Sequence, residues 1–377
     1  MNTKIGLLLP RSDMFPTLAG DILNGLKLVF KKKMDVAYTP SFIIEGTGNA
    51  ADDSIIQKAE KLLLQEDVDL TIAFCSIFKL KELEGVFTAY KKPLLHIDLG
   101  GRILKKEHVS PNVLYHTLNI WQASYAAGRY AVNAFGKKAA IVGSYYDCGY
   151  QITEAFVQGL NEEGGKVEAF WVGPMDYKAE SYDAMIEAIK QADPDFIYAL
   201  FSYKEGEKVF RKIAGSEING RIPILSNPLM NEETLEDYKI EKVTSIASWS
   251  LDDENPEMKS FITDYKSLYS ENPNILSLMG FEIGQLVSKI IEKEHRIPSN
   301  IGEYMANKKI ETPRGTVHYN AYNESYPATF KVRQFKFRKD NYQNVVTETL
   351  DASVASNQNE KFEESPLAGW QNPYICT

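Results

Sequence analysis

The sequence contains few of the residues that most often carry chemistry. Only three of its 377 residues are cysteines, and no two of them have the C-x-x-C spacing of zinc and redox sites. Cys75, Cys148 and Cys376 cannot all pair with one another, so we expect buried free thiols. The five histidines are scattered and form no H-E-x-x-H metal motif. They are His96, His108, His116, His295 and His318.

Long apolar runs and an excess of basic charge are also missing. No stretch approaches the roughly 20 apolar residues that a membrane-spanning helix needs. The formal net charge of −9 argues against a nucleic-acid partner, because phosphate binding requires a basic face. No signal peptide is recognisable, since Met1–Lys4 leads directly into the apolar run Ile5–Leu9. We expect a cytoplasmic protein if Met1 is the native start and a periplasmic one if a leader was removed, and both stay open.

The motifs of common enzyme classes do not occur. The loop Pro10–Pro16 after the first predicted strand has no glycine, which excludes a dinucleotide-binding fingerprint there. There is no G-x-x-x-x-G-K-[ST] phosphate loop and no G-x-S-x-G nucleophile motif. Carboxylates are abundant, but no pair has a spacing that marks acid–base work. His96 lies within a predicted strand, as a core residue would. We therefore expect a protein that is not an enzyme and that holds no cofactor or metal.

What the sequence does contain is an internal duplication. Residues 4–98 and 138–227 each show the order strand, helix, strand, helix, strand, helix, strand. The third strands are similar, Asp67-Val-Asp-Leu-Thr-Ile-Ala-Phe74 and Asp193-Pro-Asp-Phe-Ile-Tyr-Ala-Leu-Phe201. The length suffices for about two domains. Two similar α/β units predict a cleft between them, and clefts bind ligands.

Apolar periodicity predicts the elements of both units. The first unit has strands at Lys4–Pro10, Ser41–Glu45, Asp69–Phe74 and Pro93–Asp98, and helices at Thr17–Lys33, Asp52–Gln65 and Ile77–Tyr90. The second has strands at Ala139–Ser144, Val167–Val172, Asp195–Phe201 and Pro223–Ser226, and helices at Tyr150–Glu163, Tyr182–Gln191 and Lys204–Gly215. Parallel strands joined by such helices predict a doubly wound α/β fold.

The regular alternation of predicted strands and helices ends after residue 240. We expect a strand at Lys242–Ser250, helices at Pro256–Tyr269, Leu276–Glu292 and Ile301–Asn307, a turn and strand within 312–318, and an antiparallel strand at Thr329–Arg338. Residues from about 350 onward are polar, which is typical of disorder. Trp370, Pro373, Tyr374 and Ile375 indicate instead a tail that packs back, and the choice stays open.

Several short segments, in this order and spacing, resemble one family. They are Ile5–Pro10, Asn24-Gly25, the helix Ala50–Leu64, Phe74-Cys75-Ser76, Ser110-Pro-Asn-Val-Leu-Tyr115, Val142-Gly-Ser-Tyr-Tyr146 and Thr312-Pro-Arg-Gly-Thr-Val317. Together they resemble the type I periplasmic-binding-protein fold in its branched-chain-amino-acid and amide-binding group. The resemblance implies two lobes joined by three hinge crossovers, near Leu118, Ser248 and Ser325. Lobe 1 would be residues 1–118 plus 249–325, and lobe 2 residues 119–248 plus 326–377.

The ligand site is expected beyond the carboxyl ends of the parallel strands. On the first lobe Ser76 is the leading candidate, because the resemblance places a ligand-binding serine there; an ordinary helix cap is the alternative. Asp98 would attract an amine or hydroxyl, or cap a helix, or pair with Arg102 or Arg11. Gly100 and Gly101 would allow close approach of the backbone to a ligand. Other candidates on this lobe are Phe74, Cys75, Arg102, Asp13 and Phe15.

On the second lobe, tyrosines are expected to cover the ligand with an apolar wall and a hydrogen-bonding tip. Tyr146 matches an amide-binder tyrosine by position, and Cys148 stands where the family often has tyrosine. In a chain with 21 tyrosines, core or surface roles are an equal alternative. The candidates are Tyr145, Tyr146, Cys148, Tyr203 and Asn227.

These features predict a non-enzymatic solute-binding protein of ABC-transporter type that closes over a small polar ligand, such as an amino acid or amide. A transporter permease would then be a partner. The alternative is a cytoplasmic ligand sensor that resembles the amide-binding regulator of amidase operons and acts on a regulatory partner. The resemblance implies, for exported relatives, a disulfide between the counterpart of Cys75 and a cysteine in the loop after the second strand. The loop Gly46–Ala50 has no cysteine here, which fits a reducing compartment.

Overall fold

The computed structural model describes residues 3–33, 39–48, 54–75, 77–148, 151–232, 238–338 and 341–366. Its first sheet has five parallel strands in the spatial order β2-β1-β3-β4-β5. They are β1 (Lys4–Leu9), β2 (Ser41–Gly46), β3 (Leu70–Phe74), β4 (Leu94–Asp98) and β5 (Val113–Thr117). The crossover helices are α1 (Leu18–Lys33), α2 (Ser54–Leu64) and α3 (Ile77–Ala89).

The second sheet repeats this arrangement and extends it. Its parallel strands have the order β7-β6-β8-β9-β10, which matches that of the first sheet position by position. They are β6 (Lys138–Gly143), β7 (Lys166–Val172), β8 (Phe196–Leu200), β9 (Ile224–Ser226) and β10 (Val243–Ala247). The helices of this part are α4 (Ile120–Ala134), α5 (Gln151–Glu162), α6 (Asp183–Ala192) and α7 (Tyr203–Ala214). The predicted duplication and α/β fold class are confirmed.

The part of the chain after β10 contributes elements to both units. The helices α8 (Pro256–Tyr269), α9 (Ile275–Glu294) and α10 (Ile301–Met305) precede a small antiparallel sheet of β11 (Lys309–Thr312), β12 (Gly315–Tyr319) and β13 (Ser325–Pro327). The chain then returns to the second sheet, where β14 (Thr329–Arg338) pairs antiparallel with β10 and with β15 (Asn341–Asp351). β14 confirms the predicted antiparallel strand.

Helix α9 packs along α1 of the first unit, and a glycine makes this close approach feasible. A β-carbon on Gly25 would collide with the carbonyl oxygen of Ser277. Apolar side chains from both helices, among them Ile22, Leu26 and Ile283, are wholly buried in one core. The third part of the chain is therefore anchored on the first sheet, although β14 and β15 belong to the second.

Among the described helices and strands, the sequence prediction missed one helix, α4, and four strands, β5, β11, β13 and β15. The polar tail was left open between disorder and packing. Its described part, residues 352–366, forms two 3₁₀ turns, and Phe362 in it is buried. Trp370, Pro373, Tyr374 and Ile375 lie outside the described residues. None of the described helices has the length and apolar character that a membrane span requires.

Candidate ligand-binding site

Phe74 and Cys75 lie where β3 ends, at the carboxyl edge of the first sheet. Phe74 and Cys75 are buried, and Phe74 belongs to the hydrophobic core. The backbone oxygen of Cys75 lies 2.8 Å from Nε2 of the buried His96. Burial raises the pKa of the Cys75 thiol, which is unpaired as expected. Ser76, the leading sequence candidate, lies outside the described residues, and its role stays a prediction.

Asp98 ends β4 and is partly exposed at this edge. Its carboxylate accepts a hydrogen bond from the backbone N–H of Gly100 at 2.6 Å. Burial raises the pKa of Asp98, while the neighbouring His96, the Gly100 N–H and Arg102 act in the opposite direction. Arg102 is buried, with 3% of its surface exposed. Asp98 is thus hydrogen-bonded to Gly100 and lies within the electrostatic influence of Arg102, while a contact of these residues with a ligand stays a prediction.

The backbone of Gly100 lies close to Asn119, in the segment where the chain crosses from the first sheet to the second. Its φ is +79°, and a β-carbon would lie 2.6 Å from the backbone nitrogen of Asn119. Its carbonyl oxygen accepts a hydrogen bond from the N–H of Trp121, at the start of α4, at 2.7 Å. Gly101 is buried beside it. The contact observed at Gly100 is therefore with the crossover, whereas contact with a ligand remains a prediction.

The loop after β1 contributes one exposed and one packed candidate. Asp13 is exposed, and Phe15 is half-buried against the hydrophobic core. The N–H of Phe15 donates to the hydroxyl of Ser12 at 2.9 Å, which fixes the turn into α1. Asp13 is thus available at the surface, and Phe15 is held by packing.

The loop after β6 carries the aromatic candidates of the second sheet. Tyr145 is 43% exposed, and its ring meets that of Tyr146 edge-on at 5.6 Å. The sulphur of Cys148 lies against Gly143 at the end of β6. Burial raises the pKa of the Cys148 thiol, with Asp147 and Glu205 adding to the effect, so this free thiol is not activated.

The same edge holds two buried carboxyl groups that the sequence analysis did not select. Asp147 accepts a hydrogen bond from the hydroxyl of Ser202 at 2.9 Å, and its backbone N–H donates to Ser144 Oγ at 2.8 Å. Glu205, in the first turn of α7, accepts from the hydroxyl of Tyr182 at 3.1 Å. Burial raises the pKa of Asp147 to about 6. Burial and the charge of Asp147 raise the pKa of Glu205 to about 8.

The end of β9 supplies a buried amide. Asn227 is 1% exposed, and its Oδ1 accepts a hydrogen bond from the N–H of Leu229 at 3.0 Å. Within the described part of the chain, its Nδ2 has no hydrogen-bond partner. Asn227 is therefore a buried donor that a ligand or water can satisfy. Tyr203 is the first residue of α7, and its side chain is outside the described set.

The two carboxyl edges are linked beside the crossovers. The N–H of Ile103, in the loop after β4, donates to Oε1 of Gln151 at 2.8 Å, and Gln151 is the first residue of α5. This hydrogen bond is buried. It places the loop that follows Asp98 and contains Arg102 against the helix that follows the Tyr145–Cys148 loop.

Metal binding is not indicated by these side chains. Among the residues that the structure describes, no three His, Cys, Asp or Glu side chains form a group that could hold a metal ion. The arrangement can instead accept hydrogen bonds at Asp98, Asp147 and Glu205. Such a set suits a ligand that carries donor groups.

The family is shown by comparison with known proteins. A family model described as periplasmic binding protein matches residues 2–336. The chain therefore belongs to the periplasmic binding protein family, as the sequence resemblance implied. Among curated proteins no match is found.

Solved structures with the same fold include solute-binding proteins of ABC transporters. One from R. palustris in complex with benzoate is 20% identical, covers 93% of this chain and 98% of its own, and has a TM-score of 0.71. One from Rhodopseudomonas palustris BisB5 in complex with 3,4-dihydroxybenzoic acid is 18% identical, with the same coverage and a TM-score of 0.76. A branched-chain amino acid transporter substrate-binding protein from Streptococcus pneumoniae in complex with isoleucine is 15% identical, covers 93% and 100%, and has a TM-score of 0.69. These likenesses establish the fold, and the ligands are those of the related proteins.

Proposed function

We propose that this chain is a non-enzymatic solute-binding protein of ABC-transporter type, which closes over a small polar ligand between its two sheets. One observation carries the proposal. Carboxyl groups with raised pKa values stand at the carboxyl edge of both sheets: the partly exposed Asp98 on one side, and the buried Asp147 and Glu205 on the other. Burying a carboxyl group is costly, and a donor-bearing ligand offsets the cost.

The charge of the site favours an amino or amide group on the ligand. A cation near Glu205 and Asp147 would favour their ionised forms and gain charge-assisted hydrogen bonds. A simple benzoate offers a carboxylate and an apolar ring but no amino or amide donor. Near pH 7 its carboxylate would be repelled by Asp147, whose pKa of about 6 leaves it mainly ionised. An amino acid or an amide therefore suits this edge better than the aromatic acids bound by the related proteins.

Closure would use the lobes that the sequence resemblance implied. Lobe 1 would comprise residues 1–118 and 249–325, and lobe 2 residues 119–248 and 326–377. This division is supported by the packing of α9 on α1 and by the return of β14 and β15 to the second sheet. Contacts that exist only in the closed state would then drive closure. A permease is the partner that such a protein would serve.

A thermal-shift series tests the ligand class. Leucine, leucinamide and benzoate are compared at pH 7, since they differ in amino, amide and carboxylate groups. A ligand at a hundred times its Kd stabilises the protein by about 2.7 kcal/mol. We expect amino or amide compounds to raise Tm and benzoate to leave it unchanged. Stabilisation by benzoate and by no amine or amide, in this set and in a wider metabolite panel, would overturn the proposed class.

Two glutamates on α7 provide a matched pair of variants. Glu205→Gln removes the buried carboxylate and retains its size, while Glu207→Gln makes the same change at a more exposed position of the same helix. We expect Glu205→Gln to weaken the shift caused by an amine and Glu207→Gln to leave it unchanged. Equal shifts in both variants would remove Glu205 from the site.

A ligand sensor is the second candidate. It is favoured by one observation, namely that residues 352–366 dock beside the crossovers. Movement of the lobes would change the contacts of this segment and could thereby alter a surface that a partner binds. A pull-down with the ligand-saturated protein separates the two: a permease supports transport, and a regulatory protein supports sensing.

A further inference from the structure

The segment Asn359–Ser365, which we call the strap, contacts the loop that follows β4. Asn359 Nδ2 donates to the carbonyl oxygen of Leu104 at 3.1 Å. The carboxylate of Glu363 accepts from the N–H of Lys106 at 3.0 Å and from the hydroxyl of Tyr322 at 3.0 Å. These partners all lie in proposed lobe 1.

The strap also contacts the helices of the second unit. The ammonium of Lys361 forms an ion pair with Glu162 at the end of α5 and contacts the hydroxyl of Tyr125 on α4 at 3.2 Å. The hydroxyl of Ser365 donates to the carboxylate of Glu154, near the start of α5. Burial opposes ionisation of Glu162, but Lys361 and Tyr125 together lower its pKa to about 2. These partners lie in proposed lobe 2.

Between the two sets of contacts, the strap is anchored at a crossover. The ring of Phe362 is buried edge-on against Trp121, with ring centres 6.0 Å apart. The indole N–H of Trp121 donates to one oxygen of the buried Glu324 at 3.0 Å, and Asn359 donates to the other at 3.2 Å. Glu324 directly precedes β13. The strap thus joins the β4 loop, α4, α5 and a crossover at one place.

We propose that the strap is an intramolecular restraint that sets the resting angle between the two lobes. Rotation of one lobe against the other must break the contacts of the strap on one side, since Phe362 fixes its middle. Its ion pair with Glu162 therefore biases the lobes toward the observed orientation. This inference rests on the two-lobe division in the proposed function, but it makes no use of the ligand.

Charge reversal tests the restraint in ligand-free, full-length protein. Lys361→Glu places two carboxylates together, and the double variant Lys361→Glu with Glu162→Lys restores an ion pair in reverse. Lys190→Glu is the control, because the Lys190–Glu217 ion pair also lies at the surface but is contained within the second unit. Circular dichroism checks that each variant is folded.

The readout is the distance between the lobes. Lys81 on α3 and Met175 beyond β7, both exposed, are replaced by p-acetylphenylalanine for ketone-directed spin labels, which leaves the cysteines untouched. Pulsed electron–electron double resonance should show a shifted or broader distance distribution in Lys361→Glu. The double variant and Lys190→Glu should both show the distribution of the otherwise unchanged protein. An unchanged distribution in Lys361→Glu, a failure of the double variant to restore it, or an equal change in Lys190→Glu would overturn the proposal. Because no ligand is present, failure of the proposed ligand class leaves this outcome unaffected.

Discussion

Arg314 and Glu282 form a bidentate ion pair that is completely buried where the chain crosses between the two sheets. Arg314 Nε lies 2.8 Å from one carboxylate oxygen of Glu282, and a terminal nitrogen lies 2.7 Å from the other. The guanidinium also donates to Asn119 Oδ1, Ser248 Oγ and the carbonyl oxygen of Thr117. Burial opposes ionisation of Glu282, but Arg314 and His116 lower its pKa to about 2. The Arg314 side chain therefore bonds to two of the segments that connect the sheets, one at Thr117–Asn119 and the other at Ser248.

Removal of this arginine should be severely destabilising. Arg314→Met leaves the Glu282 carboxylate buried without its main partner, and breaking such a pair costs about 3–5 kcal/mol. Urea unfolding measures the loss. The double variant Arg314→Met with Glu282→Met should recover much of it, because no lone charge remains. A loss below about 1 kcal/mol in Arg314→Met would contradict the role of the pair.

Gly100 should be intolerant of a side chain. Gly100→Ala forces a β-carbon toward the backbone nitrogen of Asn119 and a positive φ on alanine, at a cost of about 1–3 kcal/mol. Gly85→Ala is the control, since a β-carbon there meets nothing within 4 Å and alanine favours the helix α3. Chemical denaturation should show opposite signs for the two variants. Equal effects would mean that the close approach of Gly100 to the crossover is unimportant.

Stability should increase as the pH falls from 8.5 to 6.5. Burial, with the charge of Asp147, raises the pKa of Glu205 to about 8, and burial raises that of Glu324 to about 7. The folded state then binds more protons than the unfolded state in this window, so protonation favours folding. Each group contributes up to about 1.4 kcal/mol per pH unit. Below about pH 6.5 the buried His116, whose pKa burial lowers, has the opposite effect.

Two isosteric variants identify the source of this pH dependence. Glu205→Gln and Glu324→Gln should each flatten the plot of unfolding free energy against pH between 8.5 and 6.5, and Glu207→Gln should not. Urea titrations at each pH provide the measurement. A wild-type curve that is flat, or that rises with pH in this window, would contradict the assignment.

Binding of an amine should release protons near pH 7. A cation beside Glu205 lowers the pKa of a carboxyl group that is largely protonated before binding. Calorimetry in buffers of different ionisation enthalpy should therefore give different apparent binding enthalpies for the wild type. Glu205→Gln should reduce this difference and weaken binding about tenfold or more, as expected for a lost charged hydrogen bond. Buffer-independent enthalpies in the wild type would argue against a protonated Glu205 in the site.

The sequence predicted the duplicated units because their strands and helices bury regular apolar faces. It missed α4 because Gln122, Ser124 and Tyr125 are buried together with its alanines, which obscures any single apolar face. It missed β15 because polar residues dominate Asn341–Asp351, an edge strand paired on one side only.

The candidate site was only partly predictable, because its electrostatics depend on distant contacts. The carboxyl-edge rule located Tyr145–Cys148, and Asp147 within it could have been selected on that signal. Glu205 had no such signal, since its burial and its contact with Tyr182 depend on a residue 23 positions away. The close packing of Gly100 against the backbone of Asn119 likewise arises only in the folded chain, so the sequence gives no signal for it.

A crystal structure of the complex with the compound that gives the largest thermal shift tests the central claim most directly. We expect the ligand between the carboxyl edges of the two sheets, with a nitrogen donor within hydrogen-bond distance of Glu205 or Asp147 and a second group near Asp98. A ligand bound elsewhere, or one that presents a carboxylate to Glu205 and Asp147, would contradict the account.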